Sequence, residues 1–163
     1  MTAFEPLGSL RVLSDHAVRY VVIGGIAGAT HGSPSVTQDL DVCYERSPDN
    51  LERLATALGS IHARLRGADD DVPFSLDAKT LAAGDHFTFI TDLGDLDCLG
   101  IPAGTLGYDD LIKGAVEVDL DGLVVAVASI DDLIRMKRAA GRPRDLAELE
   151  ILGALREESQ SSG

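Results

Sequence analysis

The chain has 163 residues, of which 45% are hydrophobic and 25% are charged, and its formal net charge is −13. This composition is typical of one globular domain. The acidic balance disfavours a simple nucleic-acid-binding module, because such modules present a basic face to phosphates. No apolar run approaches the ~20 residues of a membrane span, and the first 20 residues contain no signal-peptide core. We therefore expect a cytoplasmic protein with no membrane partner, folded as one domain over residues 1–158, with residues 159–163 as a disordered tail.

Apolar periodicity and turn residues predict secondary structure in chain order. The first half is predicted to contain a helix over Glu5–Ala17, a strand over Tyr20–Gly24, a short helix over Ile26–His31, a strand over Asp39–Tyr44 and a helix from Ser47 to about Leu58. The second half is predicted to contain a short helix near Leu76–Ala82, a hairpin of His86–Thr91 and Asp95–Leu99, a helix over Tyr108–Lys113, a hairpin of Val116–Val118 and Leu123–Ala128, and helices over Asp131–Ala140 and from Arg142 to about Leu155. This pattern indicates an α/β fold with a mixed sheet flanked by helices.

A glycine pair followed by two spaced aspartates is the most informative motif. Gly24 and Gly25 end the first predicted strand, and the next strand carries Asp39 and Asp41. Residues two apart in a strand project to the same face, about 6–7 Å from each other. Two carboxylates held together favour a cation between them, and hard oxygen ligands of this kind suit Mg²⁺. Because glycines let a backbone approach a phosphate closely, the motif predicts a site for Mg²⁺-nucleotide chemistry.

A third carboxylate on a later strand would complete such a site. Alternation in the predicted strand Asp95–Leu99 places Asp95 and Asp97 on one face. If this strand lies beside the strand of Asp39 and Asp41, it brings a carboxylate to that pair. Metal ligands that clamp a triphosphate, and a base that deprotonates an attacking hydroxyl, are the groups that phosphoryl-oxygen displacement needs. Asp97 is the predicted base or third metal ligand, and Asp95 is the alternative.

These motifs resemble the nucleotidyltransferase superfamily, whose pattern is a Gly-Gly or Gly-Ser turn, an Asp-x-Asp pair and a third Asp on a later strand. The downstream half, in which Lys137 on a predicted helix is followed by Arg144-Asp145, is similar to the minimal group related to the AbiEii/MenT-type toxins. The resemblance covers nearly the whole chain, from Tyr20 to Leu152. It implies a nucleotidyltransferase fold and a Mg²⁺-dependent enzyme that transfers a nucleoside monophosphate (NMP) from a nucleoside triphosphate (NTP).

The resemblance also implies roles for individual residues. Metal ligands are expected at Asp39, Asp41 and Asp97, and NTP-binding residues at Gly24, Gly25, Thr37, Lys137 and Arg142. Lys137 would lie against a phosphate, with Asp145 in the same pocket, so that both count with the three aspartates as catalytic. The expected acceptor is the 3′ end of tRNA, and the expected setting is a toxin–antitoxin pair with a cognate antitoxin protein as partner.

One position departs from the superfamily pattern. The family often reads Arg-x-Thr-x-Asp-x-Asp, whereas this chain has Ser35 where the arginine would contact the triphosphate. Two alternatives to a tRNA-modifying toxin therefore stay open. The same site could modify a small molecule or a protein, which an acidic body would repel less than RNA. The chain could instead be a catalytically silent binding partner that keeps the fold. The oligomeric state is also open.

Overall fold

A computed structural model describes residues 3–67 and 74–161. Its strands are β1 (Tyr20–Ile23), β2 (Asp39–Tyr44), β3 (Arg64–Leu65), β4 (His86–Thr91), β5 (Gly94–Leu99), β6 (Val116–Leu120) and β7 (Leu123–Val127). Its helices are α1 (Pro6–Asp15), α2 (Gly24–Thr30), α3 (Pro48–Ser60), α4 (Ala78–Ala83), α5 (Tyr108–Gly114), α6 (Ile130–Ala140) and α7 (Asp145–Ser161). None of the helices in these ranges is long and apolar enough to cross a membrane.

The seven strands form one mixed sheet in the order β3-β4-β5-β2-β1-β7-β6. Strand β2 runs parallel to β5 and antiparallel to β1, and β1 runs parallel to β7. The predicted fold class, a mixed α/β sheet flanked by helices, is confirmed. The predicted adjacency of the two aspartate strands is confirmed as well, since β2 and β5 are hydrogen-bonded neighbours.

The core lies on both sides of the central strands. Every residue of β1 is buried, which is typical of a strand covered on both faces. In β2 the burial alternates at first, with Leu40 and Val42 fully buried and the two aspartates only partly buried. The aspartate face of β2 therefore opens into a cleft while its other face packs into the core.

The predicted capping serines at the starts of two helices are confirmed. Ser47 accepts a hydrogen bond from the backbone N–H of Asn50 at the start of α3, and Ser129 accepts one from Asp132 at the start of α6. Helix α6 ends at Gly141, whose left-handed backbone conformation stops the helix.

Several predicted boundaries are wrong by a few residues. Helix α2 begins at Gly24, two residues before its predicted start, because the positive φ of +69° at that glycine turns the chain directly from strand into helix. Strand β3 was not predicted, since two residues carry no periodicity. Helix α7 begins three residues later than Arg142 and continues past Leu155 to Ser161, so the first three residues of the predicted tail are helical. Residues 162–163 lie outside the described residues.

Candidate active site

The aspartates of β2 and β5 stand side by side. Parallel pairing places Asp39 opposite Asp95 and Asp41 opposite Asp97, about 4.8 Å apart across the sheet. The pKa of Asp41 is raised to about 7 by burial, by the neighbouring Asp97 and by the charge of Asp39 together. Lys137 acts in the opposite direction. Asp41 and Asp97 therefore form an adjacent, partly buried carboxyl pair with too little positive charge around it.

The two glycines bring the start of α2 against this pair. A Cβ at Gly24 would lie 2.1 Å from Oδ2 of Asp41, and one at Gly25 would lie 2.8 Å from Cβ of Thr37. Only glycine lets the backbone approach this closely. Thr37 in turn donates its hydroxyl to the carbonyl of Asp39 at 3.1 Å. The glycine pair, Thr37 and the aspartates therefore form one packed unit, which fixes the orientation of the β2 carboxylates.

Lys137 and Arg142 both contact Asp145. The Asp145 carboxylate is 2% exposed, and it accepts a hydrogen bond from Lys137 Nζ at 3.2 Å and from Arg142 Nε at 3.0 Å. Burial by itself would raise the pKa of Asp145, yet the hydrogen bonds from Arg142 and Lys137 bring it below its usual value. Asp145 therefore holds both cations in place and neutralises part of their charge.

All of the predicted site residues line one cleft with a volume of about 860 Å³, which lies within the usual range for ligand pockets. They are Gly24, Gly25, Thr37, Asp39, Asp41, Asp97, Lys137, Arg142 and Asp145. The sequence pattern placed them in four separate segments, and the fold brings them together. Their roles toward metal and nucleotide stay predictions.

Two charged residues beside the predicted ones were missed. Arg66 Nη2 donates to Oδ1 of Asp97 at 2.5 Å, although Arg66 lies in a segment with no periodicity to predict its place. Glu148, on α7, accepts hydrogen bonds from the hydroxyls of Ser33 and Ser35 at 3.0 and 2.5 Å. Position Ser35, where the family has an arginine, is thus occupied by a neutral side chain bound to a carboxylate. No local signal in the sequence identifies either contact, because both partners are more than 30 residues away.

The carboxylates fit a divalent cation in part. Among the described residues, no three His, Cys, Asp or Glu side chains are arranged so that they could hold one metal ion. Asp39 acts on Asp41 through its charge but does not complete such a trio. The Asp41–Asp97 pair by itself suits Mg²⁺, which usually takes one or two protein carboxylates and completes its shell with water and phosphate oxygens. The raised pKa of Asp41 supports that fit, because an unneutralised carboxyl pair favours a cation.

Comparison with known proteins identifies the fold. No protein-family model matches the sequence, and no curated protein matches it. The lincosamide antibiotic adenylyltransferase LnuA, solved with lincomycin bound, is 11% identical and has a TM-score of 0.63, with 95% of this chain and 99% of that chain covered. ANT(2″)-Ia in complex with adenylyl-2″-tobramycin is 15% identical with a TM-score of 0.53, and 94% of each chain is covered. The chain has the nucleotidyltransferase fold.

A third solved structure agrees with this assignment. TM1012 from Thermotoga maritima, a candidate nucleotidyltransferase, is 17% identical with a TM-score of 0.51, and 98% of this chain and 97% of that chain are covered. Near-complete coverage of all three proteins means that the nucleotidyltransferase fold accounts for the whole sheet and its helices. These likenesses give no support to the narrower AbiEii/MenT-like toxin group, which stays a prediction.

Proposed function

We propose that this chain transfers NMP from an NTP to an acceptor hydroxyl in a Mg²⁺-dependent reaction. The observation that carries the proposal is the partly buried Asp41–Asp97 pair, which faces a cleft of suitable size and lacks enough positive charge. A purely structural pair of adjacent carboxyls, partly shielded from water, would be costly, and a fold has little reason to keep it without a cation. The nucleotidyltransferase fold adds independent support.

The proposed chemistry uses the residues as follows. Asp41 and Asp97 would hold Mg²⁺, with Asp39 beside them. When bound, the metal would neutralise charge on the triphosphate and polarise its phosphorus–oxygen bonds. Asp97 would accept the proton of the acceptor hydroxyl, whose oxygen attacks the α-phosphorus, while the bond to the β-phosphate oxygen breaks and pyrophosphate leaves. Gly24, Gly25 and Thr37 would line the phosphate path, and Lys137, held by Asp145, would lie against a phosphate together with Arg142.

One candidate acceptor is the 3′ end of tRNA, as expected for a toxin paired with an antitoxin protein. Arg138, Arg142 and Arg144 are exposed around the end of α6 and the start of α7, and the latter two line the cleft. This cluster supplies the basic surface that RNA phosphates need on an otherwise acidic protein.

The other candidate acceptor is a small cationic molecule with a hydroxyl group. Among the described residues, six carboxylate side chains and three basic ones line the cleft, so that its wall is acidic overall. An acidic wall attracts a cation and repels a polyphosphate. One structural neighbour is a lincosamide antibiotic adenylyltransferase with lincomycin bound, and another, ANT(2″)-Ia, is in complex with adenylyl-2″-tobramycin, so this chemistry is compatible with the fold.

The test incubates the protein with each α-labelled NTP, Mg²⁺ and either total tRNA or a panel of cationic hydroxyl compounds. We expect label on one acceptor class, and we expect Asp41→Ala to reduce the transfer by a factor of about 10³. Asp49→Ala is the matched control, because Asp49 is exposed in the first turn of α3, outside the cleft. Activity that survives Asp41→Ala would exclude the mechanism.

A catalytically silent partner is distinguished by binding rather than turnover. Calorimetry of the wild type with Mg²⁺ and each NTP should show binding if the proposal is right. A folded protein that binds neither would favour the silent module.

A further inference from the structure

Arg66 reaches the carboxylate face from the edge of the sheet. Its backbone N–H donates to the carbonyl of Thr88 on β4 at 2.9 Å, which anchors it beside that strand. Thr88 is paired with Asp97 on the next strand, β5. The Arg66 side chain therefore passes over β4 and places its guanidinium on the aspartates of β5.

The guanidinium of Arg66 lies near two carboxylates, but at different distances from them. Nη2 lies 2.5 Å from Oδ1 of Asp97, whereas Nε lies 3.6 Å from Oδ2 of Asp95, which is too far for a hydrogen bond. Nε is buried and has no hydrogen-bond partner among the described residues. The Asp97 side chain is 16% exposed and that of Arg66 31%, so their ion pair is partly shielded from water. Arg66 is thus held mainly by Asp97.

This contact bears directly on the cation site. Asp97 is shared between Arg66 on one side and Asp41 on the other. A divalent cation at the Asp41–Asp97 pair would lie within several ångströms of a fixed positive charge. At that separation the two positive charges repel each other even when water screens them well. The same guanidinium also holds Asp97 in one orientation.

We propose that Arg66 is a positioning residue that holds Asp97 and lowers the divalent-cation affinity of the Asp41–Asp97 pair by placing a positive charge beside it. The proposal rests on the proposed function, since it assumes that this pair binds the metal. Its consequence is that the pair binds a free metal ion more weakly than it would without Arg66, and bound NTP would offset this loss by adding phosphate oxygens to the metal shell.

The test measures Mn²⁺ binding to the full chain without nucleotide, by electron paramagnetic resonance of the free ion. We expect Arg66→Gln to bind Mn²⁺ on the order of tenfold more tightly than the wild type. Arg66→Lys, which keeps the charge, should stay within about threefold of the wild type. Arg64→Gln is the matched control, because it removes the same charge from an exposed position two residues earlier, and it should leave the affinity unchanged.

The outcomes separate the two proposals. Equal or weaker Mn²⁺ binding in Arg66→Gln, with wild-type binding that Asp41→Asn abolishes, overturns the role of Arg66 and leaves the proposed function intact. Absence of Mn²⁺ binding in both the wild type and Arg66→Gln overturns both.

A second measurement uses only the wild-type protein, so it does not depend on whether a variant of Arg66 folds. In the wild type, the Nε–Hε resonance of Arg66 should shift as Mg²⁺ is added, with the same midpoint as metal binding. A resonance that does not move at saturating Mg²⁺ overturns the proposal.

Discussion

The two ends of the cleft differ in how their charges are balanced. At the end proposed to bind metal, the metal end, Asp41 and Asp97 are partly buried with one guanidinium beside them, and the pKa of Asp41 is raised to about 7 by burial and by its neighbours. At the end proposed to bind phosphate, the phosphate end, Lys137 and Arg142 are both bound to a buried Asp145, which has a lowered pKa. The metal end is short of positive charge, whereas the cations of the phosphate end already have an anionic partner.

This difference indicates which end is prepared for its ligand. A deficit of positive charge favours binding of a cation without further rearrangement. At the other end, Ser35 stands where the nucleotidyltransferase pattern often has an arginine and its hydroxyl is bound to Glu148, so a triphosphate would meet an additional carboxylate instead of an additional cation. We therefore expect strong dependence of function on the geometry of the metal end and a modest, adjustable affinity at the phosphate end.

The largest effect is expected at Gly24, where the metal end depends on backbone geometry. In Gly24→Ala the new Cβ would overlap Oδ2 of Asp41, and the positive φ is strained for alanine. We expect a loss of about 3 kcal/mol in the free energy of unfolding and at least about a 100-fold loss of NMP transfer, because Asp41 must move. Urea unfolding and the labelled-NTP assay measure both.

Gly59→Ala is the control for that substitution. A Cβ at Gly59 meets nothing within 4 Å, and Gly59 lies inside α3. Because alanine favours a helix over glycine, this variant should be as stable as the wild type or more stable. If Gly24→Ala behaves like Gly59→Ala, the close approach to Asp41 is unimportant and the contrast between the two ends is lost.

The second-largest effect is expected in the pH dependence of the free energy of unfolding, because Asp41 has a raised pKa. A carboxyl whose pKa is raised on folding stabilises the protein below its unfolded pKa near 4, and that contribution is lost as pH rises toward 7. Compared with Asp41→Asn, the metal-free wild type should lose a few kcal/mol of unfolding free energy between pH 4 and pH 7. Urea unfolding in the presence of a chelator measures the slope of each protein.

If the proposed metal site is right, Mg²⁺ should reverse this loss at neutral pH in the wild type, since it would bind the ionised pair and not the unfolded chain. If the free energies of unfolding of the wild type and Asp41→Asn change with pH in the same way, Asp41 is already neutralised within the protein and the prediction is wrong.

The smallest effect is expected at the phosphate end. Glu148→Gln removes a negative charge beside Ser33 and Ser35 but keeps an acceptor for their hydroxyls. We expect NTP to bind about fivefold more tightly, which corresponds to roughly 1 kcal/mol for a like charge removed in a water-exposed site. Calorimetry gives the affinity, and Glu150→Gln, an exposed position on the same helix, is the control. Weaker binding in Glu148→Gln would mean that this carboxylate mainly orders the serine loop.

The sequence predicted those features that depend on neighbouring residues. Alternation in β2 placed Asp39 and Asp41 on one face, and the glycine pair marked the end of β1. Capping serines marked the starts of α3 and α6, because a helix start is satisfied by a side chain one turn away. Predicted boundaries were wrong where backbone conformation decided them, as at Gly24. The strand β3 was missed because it is too short to show a period.

What the sequence by itself determined is a nucleotidyltransferase-like α/β pattern with carboxylates on two strands. The tertiary structure alone decided how those carboxylates are charged and held. Asp41 meets Asp97 only because β5 pairs in parallel with β2, and Arg66 reaches Asp97 only because β4 separates them by a single strand. Glu148 meets Ser35 across 113 residues of chain. Such contacts follow from strand order and side-chain reach, which local sequence patterns do not encode.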